Sequence, residues 1–155
     1  MSFHFVDTHC HFDFPPFTGA EAESLRLARQ AGVREIIVPA VTADRFDGIL
    51  ALAKKFPPLY AALGLHPLYI AEHNDTDLQQ LDALLSQRCP RVVAVGEIGL
   101  DLFMETPMFE QQQRLLKAQF ALAKREALPV ILHSRRSHDQ LAAMLRQAKL
   151  PATGV

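Results

Sequence analysis

Val95-Gly96-Glu97-Ile98-Gly99-Leu100-Asp101 is the stretch that decides how this chain is read. An apolar run, Val92 to Val95, delivers one carboxylate, Glu97, to a point flanked by glycines. Glycine permits close backbone approach and unusual dihedrals, so a charged group set between two of them reads as placed rather than tolerated. Alone, Gly-Glu-x-Gly is a weak signal. It gains force from histidines at the ends of other strand-like runs, namely His9 and His11, His66, and His133. If those segments converge, Glu97 becomes the centre of a metal site.

Outward from that stretch, short apolar runs alternate with helical patterns. Phe3 to Thr8 reads as a first strand running into His9-Cys10-His11; alternation places Asp7, His9 and His11 on one face, where two imidazoles can hold one ion. Thr18-x-x-Glu21 predicts a capping box for a helix to about Ala31, closed by Gly32. Glu35 to Pro39 is a second strand, followed by a helix from about Thr42 to Lys55. Leu59 to Leu65 is a third strand, handing over to His66-Pro67. Thr76-x-x-Gln79 predicts the next cap, and Arg91 to Val95 the fourth strand. Thr106-Pro107 offers an N-cap with proline at the first helical position, for a long helix through Ala127. Pro129 to Leu132 is the fifth strand, ending at His133. Ser137-x-x-Gln140 predicts a cap for the last helix, and Ala152 to Val155 resembles the approach to a sixth strand.

Strand and helix thus alternate five times without an Asn-Gly or Asp-Gly hairpin signal, which implies parallel strands joined by helical crossovers. A doubly wound sheet and a (β/α)₈ barrel compete. The first strand-to-helix turn lacks Gly-x-Gly-x-x-Gly, which disfavours a dinucleotide fold. Polar residues cluster at the C-terminal ends of strands 1, 3, 4 and 5, where barrel enzymes place their chemistry. The α/β reading is therefore a TIM-type barrel, of which residues 1–155 supply about five βα units.

The chain is 49% hydrophobic with a formal net charge of -1, enough apolar material for one globular domain. The balance argues against holding nucleic acid on a broad basic surface, so a polyanion would be gripped locally, by metal or a few arginines. No apolar run approaches a membrane span, and no signal-peptide pattern opens the chain. Two cysteines make no disulfide framework, and the cytoplasm is the expected setting.

Each candidate has a plainer reading. His9 and His11 are otherwise surface histidines at a loop entry, Glu97 a cap or loop carboxylate, and His133 a core histidine with a backbone partner. Metal ligation by all four is favoured because they occur together. His66 precedes proline and reads equally as a substrate contact or a structural residue. Arg135 and Arg136, just past His133, are either ordinary solvated charge or, for one of them, a phosphate ligand. Asp101 orients a ligand or positions a loop. Cys10, on the face opposite the two histidines, reads as a packed thiol.

Together, Asp7-Thr8-His9-Cys10-His11, Gly64-Leu65-His66-Pro67, Val95 to Asp101 and Leu132-His133-Ser134-Arg135 resemble the TatD-type metal-dependent deoxyribonucleases, and most of all their bacterial YjjV-like branch. The likeness runs through essentially the whole chain. It implies a (β/α)₈ metallo-hydrolase barrel that cleaves phosphodiester bonds of DNA with two divalent ions, Mg²⁺, Mn²⁺ or Zn²⁺. By that resemblance His9 and His11 bind one ion, Glu97 bridges both as the catalytic carboxylate, and His133 binds the second. His66 and Arg135 line the substrate phosphate pocket. The family's further ligands, a histidine after strand 6 and an aspartate after strand 8, have no counterpart in these residues. The expectation is therefore an N-terminal part of such a barrel, stopping just before strand 6. A hydrolase of small amides or esters on the same barrel, and an inactive half-barrel that self-associates, remain as alternatives.

Overall fold

The computed structural model describes residues 4–150. Its elements are β1 (Phe5–Asp7), α1 (Glu21–Gln30), β2 (Val33–Pro39), α2 (Phe46–Lys55), β3 (Leu59–Leu63), α3 (Asp75–Ser86), β4 (Val92–Asp101), α4 (Phe109–Arg125), β5 (Val130–Arg135) and α5 (His138–Ala148). The five strands form one parallel sheet in the order β1-β2-β3-β4-β5. A doubly wound sheet would reverse direction beside its first strand; strictly sequential order is what a barrel produces. In a flat sheet the outer strands would lie about 19 Å apart at ~4.8 Å per strand. Here residues after β1 and within β5 bond the same carboxylate, so the sheet curls.

Helix faces and outward strand residues build the main core, with Phe12, Phe46, Leu59, Leu63, Leu81 and Leu116 fully buried. Ala62, Ala94 and Ile131 form a separate apolar layer with Ile37. β1, by contrast, is exposed throughout, with Phe5 57% and Val6 50% accessible. Among the described residues no helix is long and apolar enough to cross a membrane.

Element ends differ from the sequence reading in instructive ways. β1 stops at Asp7, whose Oδ1 accepts the His9 N–H at 3.1 Å, an Asx-type turn; Phe3 and the suggested sixth-strand approach lie outside the described residues. The N-cap of α1 is Ala20 rather than Thr18, and Glu21 instead accepts from Gly19 N–H at 3.0 Å. Gly32 follows that helix, as expected, with φ +92°. α3 is capped by a reciprocal Asn74–Asp77 box, not by Thr76 and Gln79: the stronger capping residue two positions earlier prevails. α4 begins after Met108 instead of Thr106, because the Pro107 carbonyl accepts from the buried Gln112 amide. Ser137 does precede α5, but its hydroxyl donates to the Leu100 carbonyl at 2.8 Å and no capping box forms.

The largest difference concerns β4 and β5, which extend to Asp101 and Arg135 instead of ending at Val95 and Leu132. The close backbone approach that glycine permits is realised within the extended strands. A Cβ on Gly96 would stand 2.7 Å from the Ile131 Cβ, and one on Gly64 2.7 Å from the Gly96 carbonyl carbon. Only residues without side chains let β3, β4 and β5 come this near.

Candidate metal centre

The pairing of β4 with β5 passes from Val95↔Val130 to Ile98↔Leu132, so Gly96 and Glu97 together oppose Ile131 alone. Such a bulge re-aims a side chain. The Glu97 N–H, turned out of the β4–β5 ladder, donates to the Ala40 carbonyl at 3.0 Å. Its carboxylate, only 6% exposed, faces four imidazoles.

The two oxygens divide them. Oε2 lies 3.0 Å from His9 Nε2 and 3.2 Å from His11 Nε2, and these two nitrogens are 3.4 Å apart. Oε1 lies 3.3 Å from His66 Nε2 and 3.2 Å from His133 Nδ1. Expected ligand residues from β1, β4 and β5 are thus brought together, and so is His66. Arg135 stands one shell out, its Nη1 3.9 Å from Asp101 Oδ2.

The donor set suits a divalent ion. Tetrahedral ligands at about 2.0–2.1 Å from zinc lie roughly 3.3 Å from one another, the scale of the His9, His11 and Glu97 separations. Those three, and likewise His66, Glu97 and His133, keep their candidate ligand atoms within 4.8 Å of each other. His11 Nδ1 is buried without a well-formed hydrogen bond, although the Pro39 carbonyl favours a proton on this ring. A proton on Nδ1 leaves the Nε2 lone pair for a cation.

Tautomers separate the other two histidines. The Leu68 N–H donates to His66 Nδ1 at 3.0 Å, so a neutral His66 carries its proton on Nε2 and donates to Glu97. It offers no lone pair on that side. Asp101, 1% exposed, holds His133 Nε2 at 3.0 Å, which leaves Nδ1 to point its lone pair toward Glu97. A carboxylate behind the imidazole is the arrangement that orients metal-binding histidines. Asp101 also accepts the Phe103 N–H through Oδ1 at 2.9 Å, so it both orients a side chain and positions a loop.

The electrostatics follow. Burial alone would raise the Glu97 pKa, but hydrogen bonds from His11, His133, His66 and His9 hold it well below the usual carboxylate range. The bond to Glu97 raises the pKa of His11 against the opposing effect of burial. Burial pulls His133 down, yet Glu97 and Asp101 outweigh it and the net shift is upward. Protons and any metal held here would compete for the same ring nitrogens. Cys10 is packed against the core and unpaired, its thiol pKa pushed up by burial and by Asp7 and Asp13.

A model of the family described as TatD related DNase matches residues 6–155. The chain belongs to this family. It is 61% identical to the uncharacterized metal-dependent hydrolase YjjV of Escherichia coli K12, covering 97% of this chain and 58% of that protein. It is 36% identical to the 3′-5′ ssDNA/RNA exonuclease TatD of Edwardsiella piscicida, covering 84% and 50%. The crystal structure of YjjV, a TatD homologue from Escherichia coli K12, superposes with a TM-score of 0.96 at 60% identity, covering 99% of this chain and 60% of that one. The chain thus spans between half and three-fifths of the length of these TatD relatives.

Two supports of this TatD-family site escape a reading for charged residues. Gln112 and Gln119 on α4 are each 1% exposed. Gln112 accepts from Asp101 N–H and donates to the Asp101 carbonyl, both at 2.8 Å. Gln119 does the same for Leu65, at 2.8 and 3.2 Å. Each amide replaces a missing ladder partner at the strand end that carries Asp101 or the segment that carries His66. The signal was present: both glutamines fall in the buried stripe of Leu116, Phe120 and Ala123, where a polar residue needs a partner.

Proposed function

We propose that this chain carries the Glu97 metal centre of a divalent-metal-dependent hydrolase that cleaves phosphodiester bonds of DNA. The observation that carries the reading is the division of one buried carboxylate, Oε2 toward His9 and His11, Oε1 toward His133 and His66. That division suits a carboxylate shared by two ions, with His9 and His11 as ligands of one and His133 of the other; Mg²⁺, Mn²⁺ and Zn²⁺ are the candidates. Bound ions of this kind lower the pKa of a water and polarise a phosphoryl oxygen.

The chain's own residues do the rest. Glu97 stays ionised and is the catalytic carboxylate of the centre. Asp101 keeps the His133 ring turned so that Nδ1 faces inward. His66, buried at the mouth, presents an Nε2–H to Glu97 or to a phosphate oxygen placed beside it. Arg135, half exposed, offers its guanidinium to a phosphate of the strand. A near-neutral protein can bind DNA in this way because positive charge is concentrated at the centre. Two unpaired cysteines accord with a reducing cytoplasm.

Equilibrium dialysis with Mn²⁺, followed by hydrolysis of a labelled single strand, tests the reading. In a background that carries the complete barrel, the protein should bind metal and degrade the strand, and Glu97→Gln should do neither. Hydrolysis of small amides with DNA left intact would select the amide or ester reading. The exposed apolar edge of β1 favours one more element, association of the open sheet with another chain. A monomer throughout a sedimentation concentration series would remove it.

A further inference from the structure

Beside the centre, Arg135 belongs to a cluster whose other members, Phe103 and Arg136, play no part in that reading. Phe103, on the loop after β4, is 45% exposed. The guanidinium carbons of Arg135 and Arg136 lie 3.9 and 4.1 Å from its ring centroid. They are therefore at most about 8 Å apart. Successive side chains on a strand point to opposite faces. Arg136 escapes that rule because it sits just past β5 with φ +53°, a left-handed conformation that arginine rarely adopts. The strained turn brings consecutive arginines onto one ring.

The ion pair of Arg135 with Asp101 is a long one, 3.9 Å. The carboxylate nearest Arg135, Asp101, is already engaged by His133 Nε2 and Phe103 N–H. Among the described residues Arg136 has no ion pair. Stacking on an aromatic face leaves the N–H edges of a guanidinium free to donate. Asp101 thus ties the cluster to the metal centre, locating the Phe103 backbone with one oxygen and the His133 ring with the other.

We propose that Phe103, Arg135 and Arg136 form a second phosphate subsite, which takes the phosphate one nucleotide along from that held at the Glu97 centre. The proposal rests on the phosphodiester reading above and narrows it to substrates with at least two phosphates. Arg136 is its specificity-determining residue, and Phe103 a positioning residue that braces both guanidiniums.

The probes are thymidine 5′-monophosphate and thymidine 3′,5′-bisphosphate, titrated calorimetrically into the chain with Mg²⁺ present. The bisphosphate should bind about tenfold more tightly, the increment of one charge-assisted contact. In R136N, which suits the left-handed backbone, the monophosphate affinity should hold while the advantage falls below about twofold. The R136N protein should melt no lower than wild type, since asparagine tolerates this conformation better than arginine. F103L, which keeps bulk without a ring, should lower the advantage in the same direction by a smaller factor. An advantage absent from wild type, or unchanged in both variants, overturns the subsite and leaves the hydrolase reading standing. If neither nucleotide binds, both fall. Monophosphate binding indifferent to Glu97→Gln, with an Arg136-dependent advantage, supports the subsite and counts against the metal-centre reading.

Discussion

Oε1 of Glu97 faces His66 and His133, whose side chains are 7% and 21% exposed and whose far nitrogens are fixed by the Leu68 N–H and by Asp101. Oε2 faces His9 and His11, 34% and 37% exposed, on a loop after a three-residue edge strand. His11 Nδ1 has no well-formed hydrogen bond behind it. One carboxylate therefore joins a side organised before any ligand arrives to a side held mainly by the carboxylate itself. The half with His66 and His133 can keep its geometry alone, whereas the half with His9 and His11 needs an ion or Glu97 to define it.

The severest way to break this contrast is Glu97→Ala, which removes the common member of both sides. Its Mn²⁺ affinity should fall on the order of 10³-fold, well beyond the loss in His11→Ala, which strips a single ligand. Calorimetric titration of the two variants decides it; equal losses would mean that the sides are not joined through Glu97.

Gln112→Ala attacks the organised side from beneath. It strands the buried N–H and carbonyl of Asp101, at about 1–3 kcal/mol for each unpaired group. A loss of roughly 2–4 kcal/mol in urea unfolding is expected, and a change under ~0.5 kcal/mol would show that the clamp is dispensable. Asp101→Asn should spare the fold but lower metal affinity about 10–100-fold, the usual effect of losing a carboxylate behind a histidine ligand. An unaltered affinity would leave Asp101 a loop anchor only.

The mildest effect is that of pH. His11 and His133 have folded-state pKa values raised above the ordinary 6.5. Their pairing with Glu97 therefore stabilises the metal-free protein fully below about pH 6.5 and fades as pH climbs through the raised values. Melting temperatures in EDTA should decline across that interval while Mn²⁺ affinity grows, because deprotonation frees the ligand nitrogens. Parallel trends in the two measurements would contradict the competition.

Much of this was legible in the chain. Five alternations of strand and helix, with histidines after apolar runs, are enough to specify parallel strands and a shared polar end, and the order β1 to β5 bears this out. What was hidden depends on partners distant in sequence. Close approach is legible at Gly96 and Gly99, but the neighbours they press against, Ile131 and His133, lie more than thirty residues on. Thr76 loses to Asn74, a stronger cap two residues earlier, whereas Thr18 and Thr106 give way to Ala20 and Met108, which offer no side-chain cap and could not be read locally. Gln112 and Gln119 went unread because the peptide groups they satisfy, those of Asp101 and Leu65, lie on other elements.

The tight seam where Gly64, Gly96 and Ile131 meet bears on how such a protein can drift over generations. A methyl group at Gly64 or Gly96 would push β3, β4 and β5 apart at the very place where Glu97 is aimed. In a saturation mutagenesis survey these positions, which carry no functional group, should tolerate replacement as poorly as Glu97, while exposed helix positions vary freely. Heredity at this site would then be guarded partly by absent atoms, and the outline of the centre could be traced from residues that never touch a substrate.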